Sequence, residues 1–460
     1  MKELAVVVLA AGEGTRMRSD LPKVLHALGG RPMLAHVLAA ADALGPDGPR
    51  VAVVGRAAEL VRPLLEGAGW EAVLQGERLG TGHALGCAAA SLEGWRGDLL
   101  ILCGDTPLIT PAALRALVAR HRRSGAPLTI LTSRPSDPAG YGRIQRDDQG
   151  RVTGIVEQKE LRAGQDASEV NTGFYVARWP DVSPLLPSLV RHRRSGEYYL
   201  TDLAAALARE GRHPASLTLP DPTEALGIND RIQLAAAAGI LRGRVLERLM
   251  AGGVTVVDPA ATWVDAGVKV GRDTVLHPGV VLQGATVIGT GCSVGPHARV
   301  SGSRLGDGVA VLDGSVVEES RVGRDAVIGP MARLRPGTVV GAAARVGNFV
   351  EVKKCTLGAG VKASHLTYLG DAEVGAGTNI GAGVVTCNYD GVRKHRTVIG
   401  PGVFVGSDVM LVAPLTVGKG AVLGAGSVIT KDVPAEALAV SRPQLTLREG
   451  WGRRRRTARE

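Results

Sequence analysis

The sequence predicts a doubly wound α/β domain followed by a solenoid of short stacked strands. Three observations predict it. Over residues 1–226, short apolar runs alternate with Ala- and Leu-rich stretches, the grammar of a sheet covered by helices. From about Val268 to Pro434 an aliphatic residue followed by a small one returns every six residues, a period that belongs neither to a helix nor to a simple strand. Between the two patterns lies one long amphipathic stretch, Asn229–Met250, closed by Gly252-Gly253. A chain of 460 residues also exceeds one ordinary core.

In chain order, Leu4–Ala10, Val51–Val54, Glu71–Leu74, Asp98–Cys103 and Leu128–Leu131 read as buried strands, with Pro32–Leu44 and Pro111–Arg123 as helices between them. Such sheets bind ligands at the carboxyl ends of their strands. The opening MKELAVVVLAAG has the charge and apolar run of a signal peptide, yet it leads straight into a Gly-rich loop, as a first strand does. In the second half, Val270-Gly271, Ile288-Gly289, Val294-Gly295, Ile328-Gly329, Val346-Gly347, Ile380-Gly381, Val405-Gly406 and Val417-Gly418 keep the period. One aliphatic side chain per hexad points inward, and stacking joins these into one core of roughly nine three-hexad coils. At Val300–Arg304, Val317–Arg321, Val352–Thr356 and Leu369–Glu373 a unit has five residues, and Thr386–Val398 is one large interruption. The Arg453–Arg456 run reads as a solvated tail.

Composition narrows the function classes. Aromatic residues are 3% of the chain, which argues against a nucleic-acid surface built on base stacking. The net charge of +10 suits anionic small-molecule substrates and equally a solvated basic surface. The cysteines Cys87, Cys103, Cys292, Cys355 and Cys387 form no CxxC pair, so neither a disulfide framework nor a zinc site is expected. No other segment approaches the ~20 apolar residues of a membrane span. The expected location is the cytoplasm. The asparagines are few, namely Asn171, Asn229, Asn348, Asn379 and Asn388, and a chain so poor in Asn keeps them where another residue would not serve.

Two constellations carry chemistry. The first strand runs into LAAGEGTRM, residues Leu9 to Met17, and then Leu21-Pro22-Lys23. Small residues let backbone N–H groups approach phosphate, and Arg16 and Lys23 neutralise charge on a triphosphate. The loop lacks both the P-loop Gly-Lys-Ser/Thr and the dinucleotide GxGxxG spacing. Asp105 stands just past the apolar strand in LLILCGDTPL, where a carboxylate can hold Mg2+. GTGHA (Gly80 to Ala84), with Gln75 upstream, suits a base edge; Gly140–Arg143, Glu157 and Val170-Asn-Thr-Gly173 read as further polar islands between strands. In the solenoid, Arg335, Lys353, His365, Tyr368, Asn379 and Asn388 cluster over about three coils. The cations suit a phosphate, while the His and amides suit an amine substrate.

These strings, with GEYYLTD (Gly196 to Asp202), resemble the sugar-1-phosphate nucleotidylyltransferases. They are most similar to the bacterial bifunctional N-acetylglucosamine-1-phosphate uridylyltransferase/glucosamine-1-phosphate N-acetyltransferase family, over essentially the whole chain. The resemblance implies a Rossmann-like nucleotidyltransferase domain and a left-handed parallel β-helix of hexapeptide repeats. It implies that Leu9, Ala10, Ala11, Gly12 and Lys23 contact the nucleotide, with Arg16 near the phosphates. Gln75, Gly80 and Thr81 would recognise uracil; Cys103 and Gly104 would line the site beside Asp105; Asp105 and Asn229 would hold Mg2+. Gly142, Glu157 and Asn171 would bind the N-acetylglucosamine moiety. Glu13, where the family often has a basic residue, and Cys103, often Tyr, depart from the pattern.

For the solenoid the resemblance implies His365 as general base, with Glu351 orienting it. Arg335, Lys353, Tyr368 and Asn379 would bind glucosamine 1-phosphate, joined by Lys394 from across a subunit boundary of a homotrimer. Ala382, Asn388, Tyr389, Ser407, Ala425 and Arg442 would line an acetyl-CoA cleft. The expected partners are UTP, N-acetylglucosamine 1-phosphate, glucosamine 1-phosphate and acetyl-CoA, with no nucleic acid and no membrane span. The expected domains are residues 1–228 for uridylyl transfer, a 229–252 linker helix, and 253–460 for acetyl transfer. The alternative is a nucleotidylyltransferase with one activity, whose solenoid only oligomerises. A hexapeptide zinc enzyme would need a compact His triad, and His277, His297 and His365 are too scattered for one.

Overall fold

The computed structural model describes residues 3–55, 57–161 and 168–457, and the chain divides into two compact units, Met1–Leu241 and Arg242–Glu460. In the first unit the apolar runs form a sheet in the order Ala215–Thr218, Leu128–Ser133, Val170–Arg178, Asp98–Cys103, Leu4–Ala10, Arg50–Val54, Glu71–Leu74. Successive side chains of a strand point to opposite faces. Val6 and Val8 therefore join Leu34, Val37, Leu114 and Leu117 on one side, while Ala5 and Val7 join Leu85, Leu92, Leu203 and Leu207 on the other. Helices cover both faces, as strands apolar on both sides require.

Neighbouring strands on this path pair parallel, except that Val170–Arg178 runs antiparallel to both of its neighbours. Sequence reading made Val170–Gly173 a polar island between strands; it is the first half of a nine-residue strand. Its polar groups are satisfied locally: Thr172 Oγ1 donates to the Leu131 carbonyl at 2.8 Å and Asn171 Oδ1 accepts from Gly173 N at 3.1 Å. A register shift between Asn171 and Tyr175 absorbs the irregularity. The hairpin Arg143–Arg146/Val152–Val156 attaches at Val170.

The long helix spans Arg231–Ala251, so it starts two residues after Asn229. Asp230 Oδ1 accepts from Gln233 N at 2.8 Å, and Gln233 Oε1 accepts from Asn229 N at 2.7 Å, a reciprocal cap. Asn229 thus stays outside the helix. An apolar cluster of Leu28, Met33, Leu108, Ile228 and Ala237 seats this end of the helix against the first unit.

The second unit is a parallel β-helix with sheets of 11, 10 and 9 short strands. The interior column of the ten-stranded sheet runs Leu282, Val300, Val317, Leu334, Val352, Leu369, Thr386, Leu411 and Ile429, every one buried. Length variation after Val264 is confined to one corner, between this sheet and the nine-stranded one. The five-residue steps Val300 to Leu305, Val317 to Val322, Val352 to Leu357 and Leu369 to Val374 all lie there, and so does the excursion from Thr386 to Ile399. The other two corners keep six residues throughout, so their side chains stack in register. The chain closes in a short helix, Trp451–Thr457, which holds the Arg453–Arg456 run. The side chains of Arg455 and Arg456 lie outside the described residues. Among the described residues no helix is long and apolar enough to cross a membrane.

Stacking of this kind makes each interior position count. Leu369→Ala is expected to lower unfolding free energy by about 2–5 kcal/mol in chemical denaturation, and a loss below about 1 kcal/mol would contradict tight coil packing.

Candidate active sites

In the first unit, Leu9 pairs with Cys103 across the two central strands, which sets the Gly-rich loop and Asp105 side by side. Gly104 N donates to the Leu9 carbonyl at 2.9 Å. Lys23 is buried; its Nζ lies 2.5 Å from Asp105 Oδ2 and 3.0 Å from Asn229 Oδ1. Three segments far apart in sequence therefore meet at one ammonium. Ile228 N donates to the Asp105 carbonyl at 2.9 Å, which holds Asn229 in place. A buried cation of this kind is stable only while its carboxylate and amide partners remain.

Above these groups lies a cavity of about 500 Å3 lined by Leu9, Gly12, Gln75, Gly80, Thr81, Cys103 and Asp105, with Ala11, Glu13, Arg78, Ala84 and Glu197 around them. Gln75 Nε2 donates to the Gly80 carbonyl at 3.1 Å, and Thr81 Oγ1 accepts from Leu200 N at 3.0 Å. Gly80 adopts φ +95 with the Tyr198 backbone against it, so a β-carbon has no room there. The GTGHA string becomes the turn into helix Thr81–Cys87, locked to the GEYYLTD segment. A second cavity, about 180 Å3, adjoins along Ala10, Ala11, Gly12 and Pro22.

Beside the larger cavity, Cys103 Sγ donates toward the Gly173 carbonyl at 3.5 Å. Burial first, then the Asp105 charge, pushes this thiol far up, so it is a neutral wall and not a nucleophile. Asn171 N donates to the Gly142 carbonyl at 2.9 Å and Asn171 Nδ2 to Tyr175 Oη at 2.7 Å. Glu157 accepts from Thr201 Oγ1 at 3.0 Å; burial holds its carboxyl above the usual range, against the lowering effect of that hydroxyl. Gly142, Glu157, Asn171 and Cys103 thus form one contiguous polar patch. Arg143 is turned away to the loop, donating to the Pro138 and Tyr141 carbonyls. Arg16 is exposed and lines neither cavity.

In the β-helix, strand pairing puts Asn348 beside His365. Continuing the same register by Val346/Ala363, Ala363/Ile380, Ile380/Val405 and Val405/Leu423 aligns Asn348, His365, Ala382, Ser407 and Ala425 on successive coils. The spacing of such a row is about 4.8 Å per coil. Arg442 packs at the end of the row, beside Gly426. Asn379 pairs with Lys362 in the same sheet as His365, while Lys353 and Tyr368 belong to adjacent strands of the neighbouring sheet. Contact with the Lys394 ammonium first, then desolvation and the Arg335 charge, pulls the Lys353 pKa down. Lys394, expected to serve a site across a subunit boundary, also stands beside Lys353 of its own chain. Glu351, read as orienting His365, accepts from the Arg335 guanidinium at 2.9 Å instead.

The excursion is a small hairpin closed by a Tyr389/Lys394 bridge. Asp390 accepts from the backbone of Arg393 and Val392 and from His395, bonds that hold its carboxyl well below the usual range. Asn388 Nδ2 donates to Asp371 Oδ2 at 2.5 Å, and Asn388 and Tyr368 both lie against Gly370, where a side chain would collide with them. Thr386 takes an inward aliphatic position so that its Oγ1 can accept from Gly370 N at 2.8 Å.

The first unit matches the MobA-like NTP transferase domain over residues 6–163. The second matches the GMPPB C-terminal domain over 260–359 and six bacterial transferase hexapeptide repeats over 396–431. The bifunctional protein GlmU of Pelobacter propionicus is 50% identical, covering 98% of both chains. That of Trichlorobacter lovleyi is 51% identical over 97% of both, and that of Geobacter sulfurreducens 47% identical over 99% of this chain and 100% of its own. The chain belongs to the bifunctional GlmU family. It is accordingly an enzyme of UDP-N-acetylglucosamine synthesis with an acetyltransferase and a uridylyltransferase activity, and the reading with a purely oligomerising solenoid is set aside.

In this GlmU-family chain the motif strings pointed to Leu9, Gly12, Gln75, Gly80, Thr81, Cys103 and Asp105, which the fold brings to one cavity. They gave no role to Glu197 within GEYYLTD and did not reveal Asp371 or Arg78, which meet the site only through folding; the one signal was the acidic Glu13, whose partner is Arg78. Lys23→Met leaves Asp105 without its cation. Denaturation should show a loss of about 1–3 kcal/mol, and an unchanged midpoint would mean that the pair is not a structural hub.

Proposed function

We propose that residues 1–228 carry uridylyl transfer and residues 253–460 acetyl transfer, joined through 229–252. The observation that carries the first assignment is the convergence of Lys23, Asp105 and Asn229 beneath the cavity. Leu9, Ala10, Ala11 and Gly12 offer backbone to phosphate. Gln75, Gly80 and Thr81 read the uracil edge beside Cys103 and Gly104, and Gly142, Glu157 and Asn171 hold the sugar. Asp105 Oδ2 and Asn229 Oδ1 already converge on one cation, and a carboxylate with an amide oxygen suits a hard divalent ion. These two residues would hold Mg2+, which supplies charge neutralisation on the phosphates when bound.

A phosphate oxygen of N-acetylglucosamine 1-phosphate attacks the α-phosphorus of UTP; the bond to the bridging oxygen breaks and pyrophosphate leaves. No protein nucleophile is needed. Lys23 and Arg16 stabilise the accumulating charge, Lys23 from beside Asp105 once its two oxygen partners are given to Mg2+, and Arg16 by swinging in from solvent.

The acetyl-transfer assignment is supported by the row of His365, Ala382, Ser407 and Ala425 on one sheet and by the Lys353 and Arg335 cations, with Lys394, on the side of the neighbouring sheet. The cations grip the phosphate of glucosamine 1-phosphate, and Tyr368 and Asn379 hold its sugar. His365 takes the proton of the amine as nitrogen attacks the acetyl-CoA thioester carbonyl; the C–S bond then breaks and coenzyme A leaves. Ala382, Asn388, Tyr389, Ser407, Ala425 and Arg442 line the coenzyme cleft.

The active assembly is a homotrimer. One six-residue corner of the prism turns through left-handed residues, and on three consecutive coils these are Met331, Phe349 and Leu366, with φ 52, 54 and 48. A bulky residue in that conformation costs about 1–2 kcal/mol. Their side chains are nevertheless 51%, 61% and 64% exposed, an apolar column adjoining His365 that burial against another copy would repay. A cytoplasmic location accords with UTP and acetyl-CoA as co-substrates.

His365→Ala should reduce acetyl transfer at least a thousandfold, about 4 kcal/mol, and leave uridylyl transfer near wild type; loss of both would make His365 structural. Asp105→Ala should give the reverse, and retained Mg2+-dependent activity would overturn its role. Phe349→Asp with Leu366→Asp should convert the trimer to monomer in light scattering, whereas an unchanged mass would place the interface elsewhere.

A further inference from the structure

The nucleotide cavities carry an electrostatic mismatch that the assigned residues do not resolve. Among the described residues lining the two adjoining cavities, the charged groups are the carboxylates of Glu13, Asp20, Asp105 and Glu197 and one cation, Arg78. The Lys23 ammonium is committed to Asp105 and Asn229, and Arg16 lines neither cavity. A triphosphate adds about four negative charges. Beside Mg2+, Lys23 and Arg16, lining this acidic favours a further cation that reaches the ligand from the cavity wall.

Arg78 meets that need. It lines both cavities and forms an ion pair with Glu13, which stands on the opposite Gly-rich loop and lines both cavities too. Both side chains retain solvent access, at 27% for Arg78 and 50% for Glu13, so the pair can exchange partners without breaking a core. A guanidinium also presents the planar fork of donors that matches phosphate oxygens.

Resting on the uridylyl-transfer reading, we propose that Arg78 is a UTP-binding residue and that Glu13 competes with the triphosphate for it. Glu13 occupies the guanidinium fork until the phosphates of UTP replace its carboxylate. The pair sets nucleotide affinity through this exchange, and replacing Glu13 by a neutral residue strengthens binding. A tether that merely joins the two loops would behave differently, because removing either partner would then weaken binding alike.

Steady-state uridylyl transfer by the full chain, with UTP varied, separates these cases. Arg78→Ala should raise the KM for UTP about tenfold, and Glu13→Gln should lower it about threefold. In the Arg78→Ala background, Glu13→Gln should change KM by less than about twofold. Acetyl transfer by the same preparations reports intact folding. Equal-sign effects of the two single variants, or an unchanged KM in Arg78→Ala, would overturn the proposal. Absence of uridylyl transfer in the wild-type chain would instead overturn the reading on which it rests.

Discussion

The chemistry of the solenoid depends on in-register stacking. Each coil contributes an inward aliphatic at a fixed interval, and backbone pairing carries that interval from coil to coil. As a result His365, Ala382, Ser407 and Ala425 form one row although a thirteen-residue excursion, Thr386–Val398, interrupts them in sequence. Length variation is admitted at one corner only, so insertions and deletions never shift the row. The same constraint explains Thr386: a hydroxyl in an aliphatic slot keeps the Gly370 N–H satisfied where the hairpin departs.

The first unit solves a related problem by convergence. Its site draws on the Lys23 segment, the turn after Asp98–Cys103 and the start of the Arg231–Ala251 helix, and one buried ammonium ties the three together. Fixing Lys23 between Asp105 and Asn229 pre-orients two oxygens and one positive charge, at the cost of making each dependent on the others. The Gly-rich loop beyond them is built mostly from small residues, so the charge lining its cavities comes from Glu13 of the loop and from side chains that arrive from elsewhere, Arg78 among them.

Local patterns were legible where local physics decides. The strand Leu4–Ala10, the helix Pro111–Ser124 with its Thr110 cap, and the six-residue aliphatic column all follow from runs of residues that leave little choice. The antiparallel strand Val170–Arg178 was only partly legible, because Asn171, Thr172 and Gly173 read as a loop until their hydrogen bonds to Leu131 and to each other are known. Long-range pairings were not legible at all. Glu351 paired with Arg335, Lys394 standing beside Lys353 of its own chain, and the link from Glu13 to Arg78 join residues whose spacing in sequence does not specify the contact.

Two independent chemistries on one chain is the central claim, and steady-state assay of both half-reactions on the purified full-length protein tests it most directly. With glucosamine 1-phosphate and acetyl-CoA the protein should release coenzyme A, and with N-acetylglucosamine 1-phosphate and UTP it should release pyrophosphate. Uridylyl transfer without any acetyl transfer would contradict the account, leaving the His365 row as scaffold alone.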